Sequence, residues 1–322
     1  MRSARLELAL ASGALVLPAL GNILVMRPRA GDDLSMLPHN QVVVQTGFKP
    51  DYDYFAAQGY RMGPADAALA IVCVPRAKAE ARAMMAQAMG AALIVVDGQK
   101  TDGIESLLKD CKALGLQVGE TLSKAHGKLA IVTPGPQLAA WAAVASEVDG
   151  FRTLPGVFSA DGPDRGSVLL AQALPAKMPA RVADLGAGWG YLSRAVLAHA
   201  TVQSLDLIEA EAVALDCARQ NVIDPRAQFI WADALAYKTL KPWDMVVMNP
   251  PFHAGREAEA SLGMGFIKAA HRGLVPSGQL FMVANRHLPY DKLLVSLFKQ
   301  VEVIASDSAF TVTRAAYPIR GK

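Results

Sequence analysis

The chain contains no run of about 20 uninterrupted apolar residues, the length that a bilayer-spanning helix requires. Its three cysteines, Cys73, Cys111 and Cys217, lie far apart and form no CxxC pair. Neither a disulfide framework nor a zinc knuckle is therefore expected, and a reducing cytoplasm suits the chain best. The six histidines are dispersed, so no metal site is expected. Charged residues make up only 19% against 52% hydrophobic, with glycine and proline scattered, which excludes a disordered chain and describes a globular one. The segment Arg2 to Leu20 has the outline of a secretory leader, but Glu7 and Pro18 interrupt it, so it reads as a buried amphipathic helix.

The net charge of +3 arises wholly in residues 151–322, which carry 18 Lys and Arg against 15 Asp and Glu. That excess permits a nucleic-acid partner without requiring one, because phosphate binding depends on where cations cluster.

A length of 322 residues predicts two domains. In residues 1–140, strand-like runs at Ile23–Met26, Val42–Gln45, Ala70–Val74, Leu93–Val96 and Leu129–Val132 alternate with helical spacing over Ala77–Met89 and Ile104–Leu114. This is an α/β pattern with no glycine-rich turn ahead of a helix. A short helix-like piece, Leu138–Val148, lies among Pro134, Pro136 and Pro155, and the boundary is placed at 140/141.

Residues 141–322 restart the rhythm. Strands are predicted at Arg181–Leu185, Val202–Ile208, Ala227–Trp231, Met245–Met248, Gln279–Ala284, Gln300–Ile304 and Ala309–Arg314. Helices are predicted at Leu192–His199, Ala212–Asn221 and Leu262–Gly273. Crossovers followed by closely spaced terminal strands predict a Rossmann-like, mostly parallel seven-stranded sheet with a late hairpin.

Asp184-Leu185-Gly186-Ala187-Gly188-Trp189-Gly190 follows the first of these strands and opens a helix. Small residues there let backbone approach a ligand at the helix amino terminus. Glu209, 19 residues after Gly190 and beside the end of the next strand, can accept from both hydroxyls of an adenosine ribose. Asp206 falls inside that strand, where a structural hydrogen bond is expected. In Asp233-Ala234, the acid can accept from an adenine amino group or simply cap a turn. Asp184 is expected to orient the turn and face the cationic end of the ligand.

Asn249-Pro250-Pro251-Phe252 ends the fourth strand. Paired prolines stop the ladder and leave carbonyls free as acceptors. With the Asn oxygen they can take both hydrogens of an NH2 group, whose lone pair is delocalised into its ring. Drawing density back to that nitrogen and aligning it with a sulfonium methyl is what amino methylation requires. Phe252 can stack on a base that is unpaired or turned out of a stack, and His253 is a pocket residue.

With these residues assembled, about 152–318 resembles the class I S-adenosylmethionine-dependent methyltransferases, and in particular the bacterial ribosomal RNA small-subunit methyltransferase C family. The resemblance rests on Leu154-Pro155-Gly156-Val157-Phe158-Ser159, Asp164 with Gly166-Ser167, the glycine turn, Asn249 to His253, Ala284-Asn285, Leu288-Pro289-Tyr290 and Thr313-Arg314-Ala315. It implies S-adenosylmethionine as methyl donor, Gly166 and Ser167 near its methionine end, and Asn249, Pro250, Pro251 and Phe252 gripping the amine. It also implies guanine N2 in ribosomal RNA as target, and a first domain that is a degenerate methyltransferase fold without a cofactor motif. Arg152, Arg165, Arg256, Arg286 and Arg314 are expected to hold RNA near the pocket. Adenine N6 or a glutamine amide presents similar donors, and both remain open here, as does an inactive RNA-binding assembly protein.

Overall fold

A computed structural model describes residues 2–251 and 256–320, the side chains of 256–259 excepted. Contacts divide the chain into two units, Met1–Ala145 and Ser146–Lys322.

The first unit runs α1 (Ser3–Ala11), β1 (Ile23–Met26), β2 (Val42–Gln45), α2 (Lys49–Ala57), β3 (Arg61–Met62), β4 (Leu69–Cys73), α3 (Lys78–Gln87), β5 (Leu93–Gln99), α4 (Ile104–Ala113), β6 (Gln117–Val118), β7 (Leu122–Lys124) and β8 (Gly127–Thr133). Every residue of β1 and β4 is buried, as expected of parallel strands covered on both faces. The sheet order is β3-β2-β1-β4-β5-β8-β6, with β7 beside β8. Pairs from β3 to β5 are parallel and those made by β8 are antiparallel. Helix α4 buries Ile104, Leu107, Leu108 and Cys111, one stripe at helical spacing, against this sheet.

The Leu138–Val148 helix expected from sequence does not form. A 3-10 helix spans Pro136–Trp141 and an extended strand follows at Ser146–Val148. Leu138 is wholly buried in the first core with Trp141 packed against it, whereas Val144 is exposed, so packing rather than helix propensity decides the segment. The same contacts carry the first unit to Ala145, five residues past the boundary read from sequence.

The second unit opens with a hairpin, β9 (Ser146–Val148) and β10 (Phe151–Thr153). It continues α5 (Arg165–Gln172), β11 (Arg181–Leu185), α6 (Tyr191–Leu197), β12 (Ser204–Glu209), α7 (Ala212–Asn221), β13 (Ala227–Trp231), β14 (Trp243–Met248), α8 (Arg256–Gly273), β15 (Leu274–Asn285), α9 (Asp291–Leu297), β16 (Phe298–Ser306) and β17 (Phe310–Pro318). The seven-stranded sheet has the order β13-β12-β11-β14-β15-β17-β16, parallel from β13 to β15 and antiparallel beyond. Strand order reverses between β11 and β14, and the crevice outside their carboxyl ends is where sheets of this kind bind ligands. Both the glycine turn after β11 and Asn249 after β14 lie at this point. Among the described residues no helix is long and apolar enough to cross a membrane.

Candidate active site

The turn after β11 is built by positive-φ backbone. Gly186, Gly188 and Gly190 have φ of +74°, +56° and +94°, a region that side chains with a Cβ disfavour. The Gly186 and Ala187 N–H groups donate to the Ile208 carbonyl at 2.8 and 3.1 Å, tying the turn to β12. A Cβ at Gly188 would meet nothing within 4 Å, so its backbone faces open space; one at Gly190 would lie 2.8 Å from Val222. Gly186 and Gly188 border a small cleft with Asp164, Ser167 and Asn249, whereas Gly190 serves close packing of the turn onto α7. Trp189 donates its indole N–H to the Phe158 carbonyl at 2.8 Å, holding the 154–164 loop beside the turn.

The acidic residues take distinct places. Glu209 ends β12 and accepts from Gly188 N–H at 2.8 Å and Glu211 N–H at 2.7 Å. One of these bonds clamps the glycine turn, and a carboxylate has lone pairs left for further donors. Burial pushes its pKa up, with Glu211 adding to the rise and the amide donors opposing it. Asp184 is fully buried and accepts from Ser193 Oγ at 2.7 Å. Burial drives its pKa up to about 7, Ser193 opposing and the Glu209 charge adding to the rise. A carboxyl so raised favours folding below its unfolded pKa and withdraws that contribution as pH climbs through about 7. Asp206 accepts from the Trp243 indole at 2.7 Å, the structural bond expected of it. Asp233 Oδ1 accepts from Leu235 N–H at 2.8 Å, a turn cap, and Ala234 packs into the core beside Phe266. None of Asp184, Glu209, Asp233 and Ala234 borders the cleft that Gly186 and Gly188 line; Glu209 reaches it through its bond to Gly188.

Asn249 follows β14 and its amide is held at both ends of the NH2: Nδ2 donates to Asp164 Oδ2 at 2.8 Å and to Ser167 Oγ at 2.9 Å. Asp164 also caps α5, accepting from Ser167 N–H at 3.0 Å. Asn249 Oδ1 and Asp184 Oδ1 are buried without a partner among the described residues. Buried acceptors of this kind are uncommon, and here they leave the region short of donors that a ligand can bring. Pro250 is buried and Pro251 exposed. Phe252, His253 and the side chain of Arg256 lie outside the described residues.

Sequence reasoning missed Asp164 as a partner of Asn249; the Asp164 to Ser167 spacing was an available sign of a helix cap, but not of what else the carboxylate holds. Of the arginines, Arg165 and Arg286 gather at Asp307, at 2.9 Å to its carboxylate and 3.2 Å to its carbonyl. The neighbouring Phe310 packs on Gly166 at the start of α5. Arg152 lies on β10, whose backbone is pinned by Asn221, and Asn221 also donates to the Trp189 carbonyl at 2.8 Å. Arg314 does not join the site. It bonds Gln279 at 2.8 Å, in register with Met245 near the amino end of β14, because its place in β17 aims it away from the carboxyl ends. Among the described residues no group of His, Cys, Asp or Glu is arranged to hold a metal ion.

The methyltransferase small domain family matches residues 149–314. A protein of Salmonella paratyphi B named ribosomal RNA small subunit methyltransferase C is 36% identical over 200 residues, covering 61% of this chain and 58% of that protein. Its Salmonella newport namesake is 33% identical over 236 residues, 71% of this chain and 68% of that one. A solved T. thermophilus 16S rRNA N2 G1207 methyltransferase, in complex with AdoMet and guanosine, superposes with a TM-score of 0.80 at 24% identity, covering 94% of this chain and 90% of the other.

Proposed function

This chain belongs to the methyltransferase small domain family and is kin to proteins named ribosomal RNA small subunit methyltransferase C, and on that premise we propose that its second unit methylates the N2 amino group of a guanine in ribosomal RNA. The single observation carrying this reading is the Asn249 amide, fastened through its NH2 and left with a buried, unpartnered oxygen at the switch point.

The residues fit S-adenosylmethionine. Glu209 offers acceptor capacity for ribose hydroxyls, Gly186 and Gly188 give backbone access, and Asp184 Oδ1 is an acceptor without a protein partner at the base of the turn. When bound, S-adenosylmethionine supplies an electrophilic methyl on sulfonium. Asn249 Oδ1 and the Pro250 carbonyl then hold the amine hydrogens, which raises electron density on nitrogen and fixes its direction. The displaced proton is released to water. Arg165, Arg286 and Arg152 supply cations for the RNA backbone. A ribosomal substrate places the enzyme in the cytoplasm.

The test is transfer of labelled methyl to small-subunit particles lacking the modification, with nucleoside analysis of the product. Label in N2-methylguanosine is expected. Label in N6-methyladenosine or in protein, or none at all, would replace the reading by one of its alternatives.

The first unit is read as a methyltransferase-like fold stripped of its cofactor site. Its strand order matches that of the second unit, with β8 and β6 in the places of β17 and β16. Arg27 N–H donates to the Gln45 carbonyl at 2.7 Å as Gly186 N–H does to Ile208, so Arg27, at φ +56°, stands where the second unit has the first glycine of its turn. Its side chain pairs with Glu80 at 2.9 Å, and Thr46 follows Gln45 where Glu209 follows Ile208. Calorimetry should therefore count one cofactor per chain. Affinity should weaken as pH is lowered, starting above the ordinary glutamate range near 4.5, because a protonated Glu209 loses acceptor capacity. Two equivalent sites, or affinity that strengthens on acidification, would contradict these assignments.

A further inference from the structure

Taking the methyl-transfer reading above as its basis, we infer that Asp164 is a positioning residue which, with Ser167, turns the Asn249 amide so that its oxygen and not its nitrogen faces the reacting amine.

The two ends of a carboxamide are nearly equal in size, so shape alone does not choose between them. Chemistry does. An ionised carboxylate only accepts, and Asp164 Oδ2 stands 2.8 Å from one end of the Asn249 amide, so that end is the NH2. Ser167 Oγ takes its other hydrogen at 2.9 Å. Both acceptors are themselves fixed. Ser167 N–H donates to the same Asp164 oxygen at 3.0 Å, and Ser167 is 8% exposed. A Cβ at Gly166 would stand 3.0 Å from that oxygen and 3.2 Å from the Phe310 ring, so glycine lets the ring close over the loop that carries Asp164. The outward atom is then a buried acceptor with no protein partner. A reversed amide would present two donors to an NH2 that is itself a donor. Asp164 thus makes the site select an amine over a carbonyl or ring-nitrogen acceptor, although it need not touch the substrate.

Asp164→Ser separates this role from the helix cap, since serine caps well but is too short to reach Asn249. It is expected to lower kcat by about tenfold or more, the weight of a hydrogen bond to a charged group. The KM for RNA and the cofactor Kd should change by less than about threefold. Asp164→Asn, which restores an acceptor oxygen, should recover most of the loss. In an Asn249→Ala background Asp164→Ser should cost less than about a further twofold, because the two act as a unit. An undiminished kcat, or an equal loss in that background, overturns the proposal; if Asp164→Ser does not fold, Asp164→Thr, which also caps and is also too short, is read by the same criteria.

A second measurement is independent of turnover. The Asn249 side-chain NH2 protons should exchange slowly with solvent in the intact protein and rapidly in Asp164→Ser. Equal exchange in the two sinks the lock. Slow exchange in a wild-type protein that transfers no methyl to guanine sinks the functional reading instead.

Discussion

Replacing Asn249 by alanine is expected to slow methyl transfer by about 10²–10³-fold, the loss seen when one preorganised group that stabilises developing charge is removed. Cofactor affinity should remain within about threefold, since the clamp on the glycine turn is made by Glu209 and not by Asn249. The fold should scarcely notice. The Asn249 oxygen is a buried acceptor without a partner, so deleting it removes a desolvation penalty while losing the bonds of the NH2. Single-turnover transfer, calorimetry and thermal unfolding together read the three quantities. A mutant that turns over within about threefold of wild type would mean that the amine is held elsewhere, and one that loses cofactor affinity in parallel would move Asn249 into the donor's site.

What was legible in the sequence follows from how local each signal is. The strands β1, β2 and β11 lie where apolar runs put them, because a strand buried on both faces reads directly as a run. Glycines at 186 and 188 were legible from context, a strand before and a helix after, and their positive φ is the physical reason for the residue type. Gly190 shares the positive φ and adds a close contact with Val222, which only the packing of α7 explains. Helices α2, α5 and α9 run nine, eight and seven residues, too short for periodicity to stand out. The bond between Asp164 and Asn249 spans 85 residues, and Arg314 is aimed by its register in β17. Such pairings depend on which strands become neighbours, and no local pattern encodes that.

The first unit carries a charged cluster of its own. At its strand ends, charges close on one another. Arg5, fully buried, donates Nε to Asp97 Oδ1 at 2.6 Å, and Arg2 reaches Asp97 at 3.8 Å and Asp32 at 3.2 Å. Arg5 Nη1 also donates to the Lys124 carbonyl at 3.2 Å, and Gly127 is without a Cβ where one would collide with the guanidinium. Helix α1, read from the sequence as part of a buried amphipathic helix, is thus anchored by an arginine that has no route to water.

Arg5→Ala is accordingly expected to destabilise the first unit by about 3–5 kcal/mol, the range for breaking a buried ion pair by removing one partner. Most of that comes from the carboxylate left behind: Asp97 is 1% exposed, and Arg2 is too far away to replace the short bond. The sign of the pH dependence separates this account from a simple cavity. Burial already holds the Asp97 pKa above its ordinary value against the pull of Arg2 and Arg5, and losing Arg5 raises it further, so the deficit should shrink as pH falls and grow as it rises. Removing both charges by Arg5→Met with Asp97→Leu should recover stability relative to Arg5→Ala at neutral pH, since neither group is then buried unpaired. Urea unfolding of the full chain at several pH values, following the transition of the first unit, measures all three. A deficit that does not vary with pH, or a double variant no better than the single one, would assign the loss to packing around α1 rather than to the stranded carboxylate.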